Sequence, residues 1–364
     1  MSNWAETLWL KTVLTAGSDD GGTVVNIIQI PNNKYGFNIQ LYDVDGKTPL
    51  NDVVMTGVSD IKSELRTNSK GALKFFSDTA KHNVKFSGYP SHLDNSMFPT
   101  SIQGYINDLS EIVVKPDVSK YYGYQITVKN SSGSALANHT IKNSSFTTIG
   151  TTDANGVFTV YSTSSSLSIA IMDGNKYYTG TITGTLGGMK TAAVTVSNTL
   201  YTGTLSLGNK ITFIGKEWLV VNKTAEQAIL ARSVIESKTA FHDRSNAYNG
   251  STLAGVAKGY ENKFSGTNKT ILTTFCPQTT VNGVTARIFV PSYEQVNGGF
   301  SYFSSNEKRI CQYNGSNDLW WTSSPDPHGN DNAYCVYSDG SIHNYSYSNV
   351  GSSYGFRPFV ALAL

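Results

Sequence analysis

The sequence is poor in charge and in cysteine, and both shortages exclude classes of protein. Charged residues make up 15% of the 364 residues and the formal net charge is +2. We therefore expect no strongly basic surface for nucleic acid, since phosphate neutralisation needs clustered Lys and Arg. The three cysteines, Cys276, Cys311 and Cys335, include no CxxC pair. This argues against a disulfide framework or a zinc site.

Long apolar runs are also missing. No stretch approaches the roughly 18 apolar residues of a membrane span, so we expect no membrane insertion. Residues 1–7 show no basic segment followed by an apolar run, so we expect no secretory signal. Together with the cysteine usage, this predicts synthesis in a reducing cytoplasm.

What the sequence does contain predicts a mainly β chain of several domains. A length of 364 residues exceeds one ordinary domain. Tyr, Ser, Thr, Asn and Gly are abundant, which favours strands and turns over helices. The 21 tyrosines fit either exposed aromatic surface or the general preference of Tyr for sheets. We predict an attachment segment at 1–35, two β-sandwich modules at 36–118 and 119–200, and an α+β module at 201–364.

The first and second modules share one plan of short strands with alternating apolar and polar residues, which is typical of half-buried strands. Expected strands are 37–44, 51–55, 72–76 and 82–86 in the first, and 124–129, 139–141, 157–161 and 167–171 in the second. Both modules contain a turn of the form T-(D/N)-(A/S)-(N/K)-G, at 67–71 and 152–156. The turn resembles that of bacterial prealbumin-like and Cna-B-like immunoglobulin-type modules of adhesins and phage tails, which implies a role in spacing and assembly.

Three further patterns concern the two ends of the chain. Alternation at 23–30 predicts a strand in the attachment segment, with no partner identified. Segments 210–214 and 217–222 predict a hairpin, and 225–232 a third strand. Segments 292–296 and 304–310 predict short helices, the second opened by a Ser or Asn cap.

The last 45 residues contain the motifs WWTSSP at 320–325, AYCVYSDGSI at 333–342 and GFRPFVAL at 355–362. These resemble the motifs of C-type-lectin-fold variable proteins diversified by retroelements, in the branch similar to formylglycine-generating enzymes. The resemblance covers 203–364. It implies a ligand surface between the tryptophans and GFRP, where template Asn codons change to Tyr, Ser, His, Asp, Gly or Cys. It also implies that Arg357 anchors the terminal strand through a buried polar contact.

The register of the SDG hairpin follows from its turn. A two-residue turn at Asp339–Gly340 would mix apolar and polar residues on each face. A three-residue loop with Gly340 in the left-handed conformation pairs Val336 with Ile342 toward the core and Cys335 with His343 on the other face. We therefore predict an outward face rich in Tyr and polar residues.

Together with the flanking loops, this face defines the expected ligand contacts. Tyr supplies large contact area with few rotors to freeze, and Ser, Asn and Gly supply adaptable hydrogen bonds. A solvent-facing sheet without a ligand is the alternative. We predict that Trp320, Trp321, Phe356 and Phe359 belong to the core. The expected ligand-binding residues are His328, Asn330, Asp331, Asn332, Cys335, Tyr337, His343, Tyr345, Tyr347, Asn349, Ser352 and Tyr354.

Catalysis, metals and cofactors are not expected. Cys335 and His343 could face each other as a catalytic dyad, but the hairpin face that carries them would be open to water, which argues against catalysis. The copper-binding cysteine pair of the formylglycine-generating relatives has no identified equivalent in Cys311 and Cys335. Oxygen ligands between 326 and 332 would suit calcium, but the calcium motifs of sugar-binding C-type lectins are absent, which favours a display loop.

The resemblances imply a phage tail-tip or fibre receptor-binding protein, with a diversifiable lectin-type head on immunoglobulin-like modules. Its partners would be a host cell-surface receptor, protein or glycan, and other virion tail proteins at the N-terminal region. A homo-oligomer, by analogy a trimer, would multiply weak contacts. The alternative is a bacterial surface adhesin with the same head.

Overall fold

A computed structural model describes residues 12–19, 22–29, 31, 33–243, 245–328, 331–343 and 350–364. For 12–19, 22–29 and His343 it describes the backbone alone. The described chain is mainly β, as the composition predicts, with three short α-helices in the C-terminal module.

The chain folds into two compact units. One comprises the described part of Met1–Thr127 with Val157–Leu167 and Ile182–Ala192, and the other comprises Val128–Gly156, Ser168–Thr181 and Ala193–Leu364. The second module therefore contributes strands to both units. The domain boundaries at 35/36, 118/119 and 200/201 stay predictions.

The predicted strand in the attachment segment is confirmed, and the structure identifies its partner. Strand β1, Thr12–Asp19, pairs antiparallel with β2, Gly22–Gln29, from Thr12 opposite Gln29 to Asp19 opposite Gly22. No other strand in the described part of the chain pairs with either.

The first module consists of short strands around one apolar cluster. Its strands are β3 Tyr35–Leu41, β4 Val54–Thr56, β5 Leu65–Arg66, β6 Ala72–Ser77, β7 Lys81–Asn83, β8 Lys85–Ser87, β9 Ser101–Gln103, β10 Tyr105–Ile106 and β11 Glu111–Val114, with a 3₁₀ turn at Asn95–Met97. The predicted strand at 82–86 is divided in two at Val84, because β7 pairs with β9 whereas β8 pairs with β4. Phe37 and Phe75 stack at 4.6 Å in the buried cluster.

The second module forms two sheets. Its strands are β12 Tyr122–Asn130, β13 Thr140–Asn143, β14 Thr148–Thr151, β15 Val157–Ser162, β16 Ser166–Asp173, β17 Lys176–Thr183, β18 Met189–Val196 and β19 Asn198–Thr199. The sheet orders are β15-β12-β18 and β14-β13-β16-β17-β19. All four predicted strands are confirmed to within a few residues.

The repeated turn is built in the same way in both modules. The Thr67 hydroxyl accepts from a backbone N–H 14 residues earlier and donates to a carbonyl 17 residues earlier. The Thr152 hydroxyl likewise accepts from a backbone N–H 13 residues earlier and donates to a carbonyl 16 residues earlier. Gly71 and Gly156 end the turns with φ of 72° and 74°, a region that glycine enters without steric cost. The sequence repeat is therefore also a repeat of hydrogen bonding.

The C-terminal module contains two larger sheets and the helices. Its elements are β20 Tyr201–Thr202, β21 Lys210–Phe213, β22 Lys216–Lys223, β23 Gln227–Arg232, β24 Ser237–Thr239, α1 Thr252–Tyr260, α2 Gly266–Phe275, β25 Thr279–Val281, β26 Val284–Ala286, β27 Ile288–Phe289, α3 Asn306–Arg309, β28 Cys311–Tyr313, β29 Ser316–Asp318, β30 Trp320–Pro325, β31 Ala333–Val336, β32 Ile342–His343, β33 Tyr354–Phe356 and β34 Phe359–Ala363. One sheet has the order β20-β21-β22-β23-β34-β27 and the other β24-β33-β30-β31-β32.

The predicted hairpin and third strand of this module are confirmed as β21, β22 and β23. The helix predicted at 304–310 is confirmed as the shorter α3, and Ser305 occupies its N-cap position. The helix predicted at 292–296 is confirmed in part. Tyr293 and Glu294 are helical and continue into a π-helical turn over Gln295–Gly299, in which Asn297 and Gly298 (φ 107°) depart from helical geometry. Helices α1 and α2 were not predicted, because Gly and polar residues interrupt their apolar pattern.

Candidate ligand-binding surface of the C-terminal module

Two adjacent tryptophans form the base of the surface. Trp320 and Trp321 are fully buried but belong to two different apolar clusters, because successive residues of β30 point to opposite faces. The indole N–H of Trp320 donates to the carbonyl of Arg309 at 3.1 Å, and that of Trp321 to Thr239 at 2.9 Å. The predicted core position of both residues is confirmed.

Arg357 has the anchoring contact that the GFRP motif predicts. Its buried guanidinium donates through Nε to the carbonyl of Arg232 at 3.0 Å. The rings of Trp320, Phe303 and Phe359 surround it, with centroids 5.0, 5.5 and 5.7 Å away. Burial lowers the pKa of Arg357, and the ring faces offset part of that cost by cation–π attraction. The contact joins the short segment between β33 and β34 to the end of β23.

The predicted register of the SDG hairpin is confirmed. Val336 lies opposite Ile342 and Cys335 opposite His343, and Gly340 has a φ of 81°. A Cβ added to Gly340 would lie 1.8 Å from the carbonyl oxygen of Asn306. The glycine is therefore required both by the turn and by its close approach to the start of α3.

The predicted orientation of Cys335 toward solvent is wrong. Cys335 and Ala333 are both 0% exposed and pack in the same apolar cluster as Trp321. On the opposite face of β31, Val336 packs in the cluster that contains Trp320, whereas Tyr334 is half-exposed. Strand β31 lies between β30 and β32, and the side chain of Cys335 is enclosed by the Trp321 cluster. The residue belongs to the core and cannot contact a ligand.

Other predicted site residues lie at the margins of this core. His328 has 76% of its side chain exposed, and its backbone N–H donates to the buried carboxylate of Asp326 at 2.9 Å. Asp331 is exposed and Asn332 half-buried. Tyr337 and Tyr354 are half-buried against the Trp321 cluster, and the Tyr354 ring lies 4.7 Å from that of Trp321.

The remaining predicted contacts are only partly described. Ser352 is half-buried, and His343 has a described backbone in β32. Asn330, Tyr345, Tyr347 and Asn349 lie outside the described residues.

Amide side chains hold the end of β30 that precedes the 326–332 loop. The Asn282 side chain donates to the carbonyl and the hydroxyl of Ser323, both at 2.9 Å. The Asn246 side chain donates to the carbonyl of Asp326 at 2.9 Å. The N–H of Val350, a residue of the buried core, donates to the carbonyl of Asp331 at 2.9 Å. The loop is thus fixed at both ends.

The structure also places an aromatic pair here that the sequence interpretation missed. Tyr293 and Tyr334 are half-exposed, with ring centroids 4.4 Å apart and an interplanar angle of 30°. The Asn297 side chain donates to the Tyr293 hydroxyl at 2.8 Å. The Tyr293 N–H donates to the Ser324 hydroxyl at 2.9 Å, which ties the pair to β30. Alternation along β31 assigned Tyr334 to the core face, and no local signal links it to Tyr293.

We call the half-exposed or exposed residues around β30 and β31 the recognition surface: Tyr293, Asn297, His328, Asp331, Asn332 and Tyr334. Within the described ranges, no group of three or more His, Cys, Asp or Glu side chains is arranged to hold a metal ion. No described helix is long and apolar enough to span a membrane.

Comparisons with known proteins concern parts of the chain. Residues 225–364 match a family model described as "Domain of unknown function (DUF6273)". No curated protein matches the chain.

Among solved structures, the Bacillus anthracis TIE protein is similar over 49% of this chain and 38% of its own, with 14% identity and a TM-score of 0.19. The shaft pilin spaA of Lactobacillus rhamnosus GG is similar over 48% of this chain and 100% of its own, with 9% identity and a TM-score of 0.26. The minor pilin GBS52 of Streptococcus agalactiae is similar over 47% and 98%, with 11% identity and a TM-score of 0.19. At these values the matches carry no functional argument.

Proposed function

We propose that the chain is a non-catalytic attachment protein whose recognition surface binds a ligand on a cell surface. The observation that carries this proposal is the Tyr293–Tyr334 pair, which is half-exposed yet held in place by hydrogen bonds to Asn297 and Ser324. Rigid tyrosines give large contact area at low entropic cost, because their rotors are already fixed. His328 adds an exposed polar group on a loop tied at both ends.

We further propose that residues 201–364 form a C-type-lectin-type head, and that the first and second modules are immunoglobulin-like or prealbumin-like spacers. The buried positions of Trp320, Trp321 and Arg357 support the first part, since the motif residues form scaffold while the intervening loops carry polar residues. The shared hydrogen bonding of Thr67 and Thr152 supports the second.

Catalysis is not part of the proposal. Cys335 and His343 are the most plausible nucleophile and base in the sequence. Cys335 is 0% exposed. A nucleophile must reach the substrate and its base together. Burial of Cys335 supports a binding role for this region rather than a reaction at it.

The setting we propose first is a bacterial cell surface, where the chain would act as an adhesin. The Cna-B-like turn, formed in both modules by the same threonine contacts, supports spacer modules of the kind that adhesins use, and phage tails share this feature. A phage tail tip or fibre is the second setting, supported by the WW, SDGS and GFRP motifs of the head. Immunogold labelling distinguishes them: an antibody to the chain would decorate intact producing cells in the first case and released particles in the second.

Adhesion measurements test the recognition surface itself. Fluorescently labelled protein is incubated with intact bacteria of a panel of strains and counted by flow cytometry. The double variant Tyr293→Ala, Tyr334→Ala should reduce adhesion by about tenfold or more, as expected for hot-spot tyrosines. Tyr105→Ala, a matched change at an exposed tyrosine of the first module, should have no effect.

A third variant separates loss of contact from loss of fold. Asn297→Ala leaves both rings present and frees only the Tyr293 hydroxyl, so it should weaken adhesion without changing the unfolding midpoint. Absence of adhesion to every strain, or undiminished adhesion by the double variant, would refute the proposal.

A further inference from the structure

A second candidate binding site lies in the second module and shares no residue with the recognition surface. A cavity of about 420 Å3 is lined by residues of β13, β14 and β16 together with Leu364. This volume is within the range of pockets that hold small molecules. Everything that lines it belongs to one compact unit.

Lys142 contributes a positive charge to this cavity. Its ammonium lies 3.7 Å from the centroid of the Phe146 ring, and the side chain is half-buried. Among the described residues, no acidic group lies within ion-pair distance of it. Burial lowers the pKa of Lys142, and Glu226 opposes this only through a longer-range interaction. A half-buried cation held over an aromatic ring favours an anion in the adjacent space.

Phe146, whose ring lies beside the Lys142 ammonium, has a strained backbone conformation. Phe146 has a φ of 61°, in the left-handed region that a bulky residue rarely enters. It lies in the turn between β13 and β14, where its N–H donates to the carbonyl of Asn143 at 3.0 Å. Its ring packs edge-to-face on Phe275 with centroids 5.3 Å apart. Glycine would adopt this backbone conformation with less strain, but it would lack the ring that contacts the Lys142 ammonium and Phe275.

The other walls combine polar and apolar groups. Thr140 and Thr148 add hydroxyl groups, and Met172 and Leu364 add apolar surface. The Nε2–H of His139 donates to the carbonyl of Met172, which fixes the orientation of the imidazole. Hydroxyl partners, an apolar wall and a single cation match a sugar that carries one carboxylate. The hydroxyls pair with threonines, the C–H face with apolar atoms and the carboxylate with the ammonium.

We propose that this cavity binds an acidic saccharide whose carboxylate pairs with the Lys142 ammonium. The inference goes beyond the proposed attachment function, because the cavity stands apart from the recognition surface. A saccharide site in the second module would give the chain a second, independent contact with a glycan-bearing surface.

The test measures binding of D-glucuronate and of D-glucose to the full chain by saturation-transfer NMR. The two sugars differ by the carboxylate. Glucuronate should bind about tenfold more tightly than glucose, as a charge-assisted hydrogen bond predicts. L-Glutamate, which has carboxylates but no sugar ring, should bind more weakly than glucuronate. Failure of glucuronate to bind at tens of millimolar, or equal binding of glucuronate and glucose, would overturn the proposal.

Matched variants assign any binding to this cavity. Lys142→Met keeps an apolar stem over Phe146 and should abolish the preference for glucuronate, whereas Lys142→Arg should keep it. Lys190→Met changes an exposed lysine outside the cavity and should leave binding unchanged. If Lys142→Met keeps the native unfolding midpoint and still prefers glucuronate, the proposal is wrong. That outcome would leave the proposed role of Tyr293 and Tyr334 in adhesion standing.

Discussion

The side chain of Arg357 donates to the main-chain carbonyl of Arg232 at 3.0 Å, in a part of the core from which water is excluded. The two arginines are 125 positions apart in sequence, and their contact joins the segment just before the terminal strand β34 to the end of β23. Arg232 in turn contacts the carboxylate of Glu236. The Arg357 and Arg232 guanidinium groups are thus both paired inside this core.

Arg357→Lys should destabilise the C-terminal module. Lysine keeps the charge but loses the planar group that lies among three rings, and it cannot match the donor geometry toward the carbonyls. We expect a loss of about 2–3 kcal/mol in the free energy of unfolding, measured by urea denaturation. Arg66→Lys, at an exposed pair with Asp52 and Glu64, should have a much smaller effect, because solvent screens exposed ion pairs. Equal midpoints for the two variants would contradict the assignment of Arg357 as an anchor.

Phe146 offers a test of stored backbone strain. Phe146→Ala and Phe146→Gly both remove the ring that contacts Phe275, but glycine alone relieves the φ of 61°. Phe146→Gly should therefore be more stable than Phe146→Ala by about 1 kcal/mol. This is the reverse of the order expected at an ordinary strand position. Urea denaturation of the two variants side by side measures the difference, and an alanine variant as stable as the glycine variant would rule out the strain.

Cys335→Tyr tests whether position 335 is core or display surface. The site is 0% exposed and lies opposite Trp321, so a larger ring should cost about 3 kcal/mol or prevent folding. Asp331→Tyr, at an exposed position of the neighbouring loop, should be tolerated. Soluble yield and thermal unfolding of both variants decide the matter. A native midpoint for Cys335→Tyr would mean that the hairpin opens to solvent.

The three cysteines should resist thiol reagents in the native protein. Cys276, Cys311 and Cys335 are all buried, and burial raises the pKa of the Cys276 thiol. Since the thiolate is the reactive form, an aromatic disulfide reagent should label fewer than one thiol per chain at neutral pH. All three should react once the protein is unfolded in guanidinium. Rapid labelling of one cysteine under native conditions would show that its region opens.

Asp45 should make the first module sensitive to acid. Hydrogen bonds from the hydroxyl and N–H of Thr48 and the N–H of Lys47 lower the pKa of Asp45 to about 2. A carboxylate with a lowered folded-state pKa stabilises the protein above its unfolded value near 3.8 and loses that effect as the pH falls toward about 2. Asp45→Asn should thus have a lower urea midpoint than the wild type at pH 6, and the gap should shrink between pH 4 and pH 2. A gap that is independent of pH would exclude this linkage.

Local signals predicted much of the secondary structure correctly. The SDG loop specified its own register, because Gly340 tolerates a left-handed backbone and the neighbouring Val336 and Ile342 prefer one face. The repeated threonine turn likewise depends on residues close in sequence, at most 17 positions apart. Helices α1 and α2 escaped prediction, because their stability comes from packing of Leu253 and Leu272 in the core rather than from a regular amphipathic pattern.

The sequence by itself determined the mainly β character of the chain, the hairpin register and the anchoring role of Arg357, since these depend on strand periodicity, turn chemistry and one motif. Only the tertiary structure decided which faces are covered. Cys335 is buried because Trp321 and the cluster around it close over the face that alternation had left open. Tyr293 contacts Tyr334, and Phe146 contacts Phe275, because segments distant in sequence converge in space. Whether a side chain is buried depends on all the elements that pack against its strand. The residue pattern within that strand therefore cannot predict it alone.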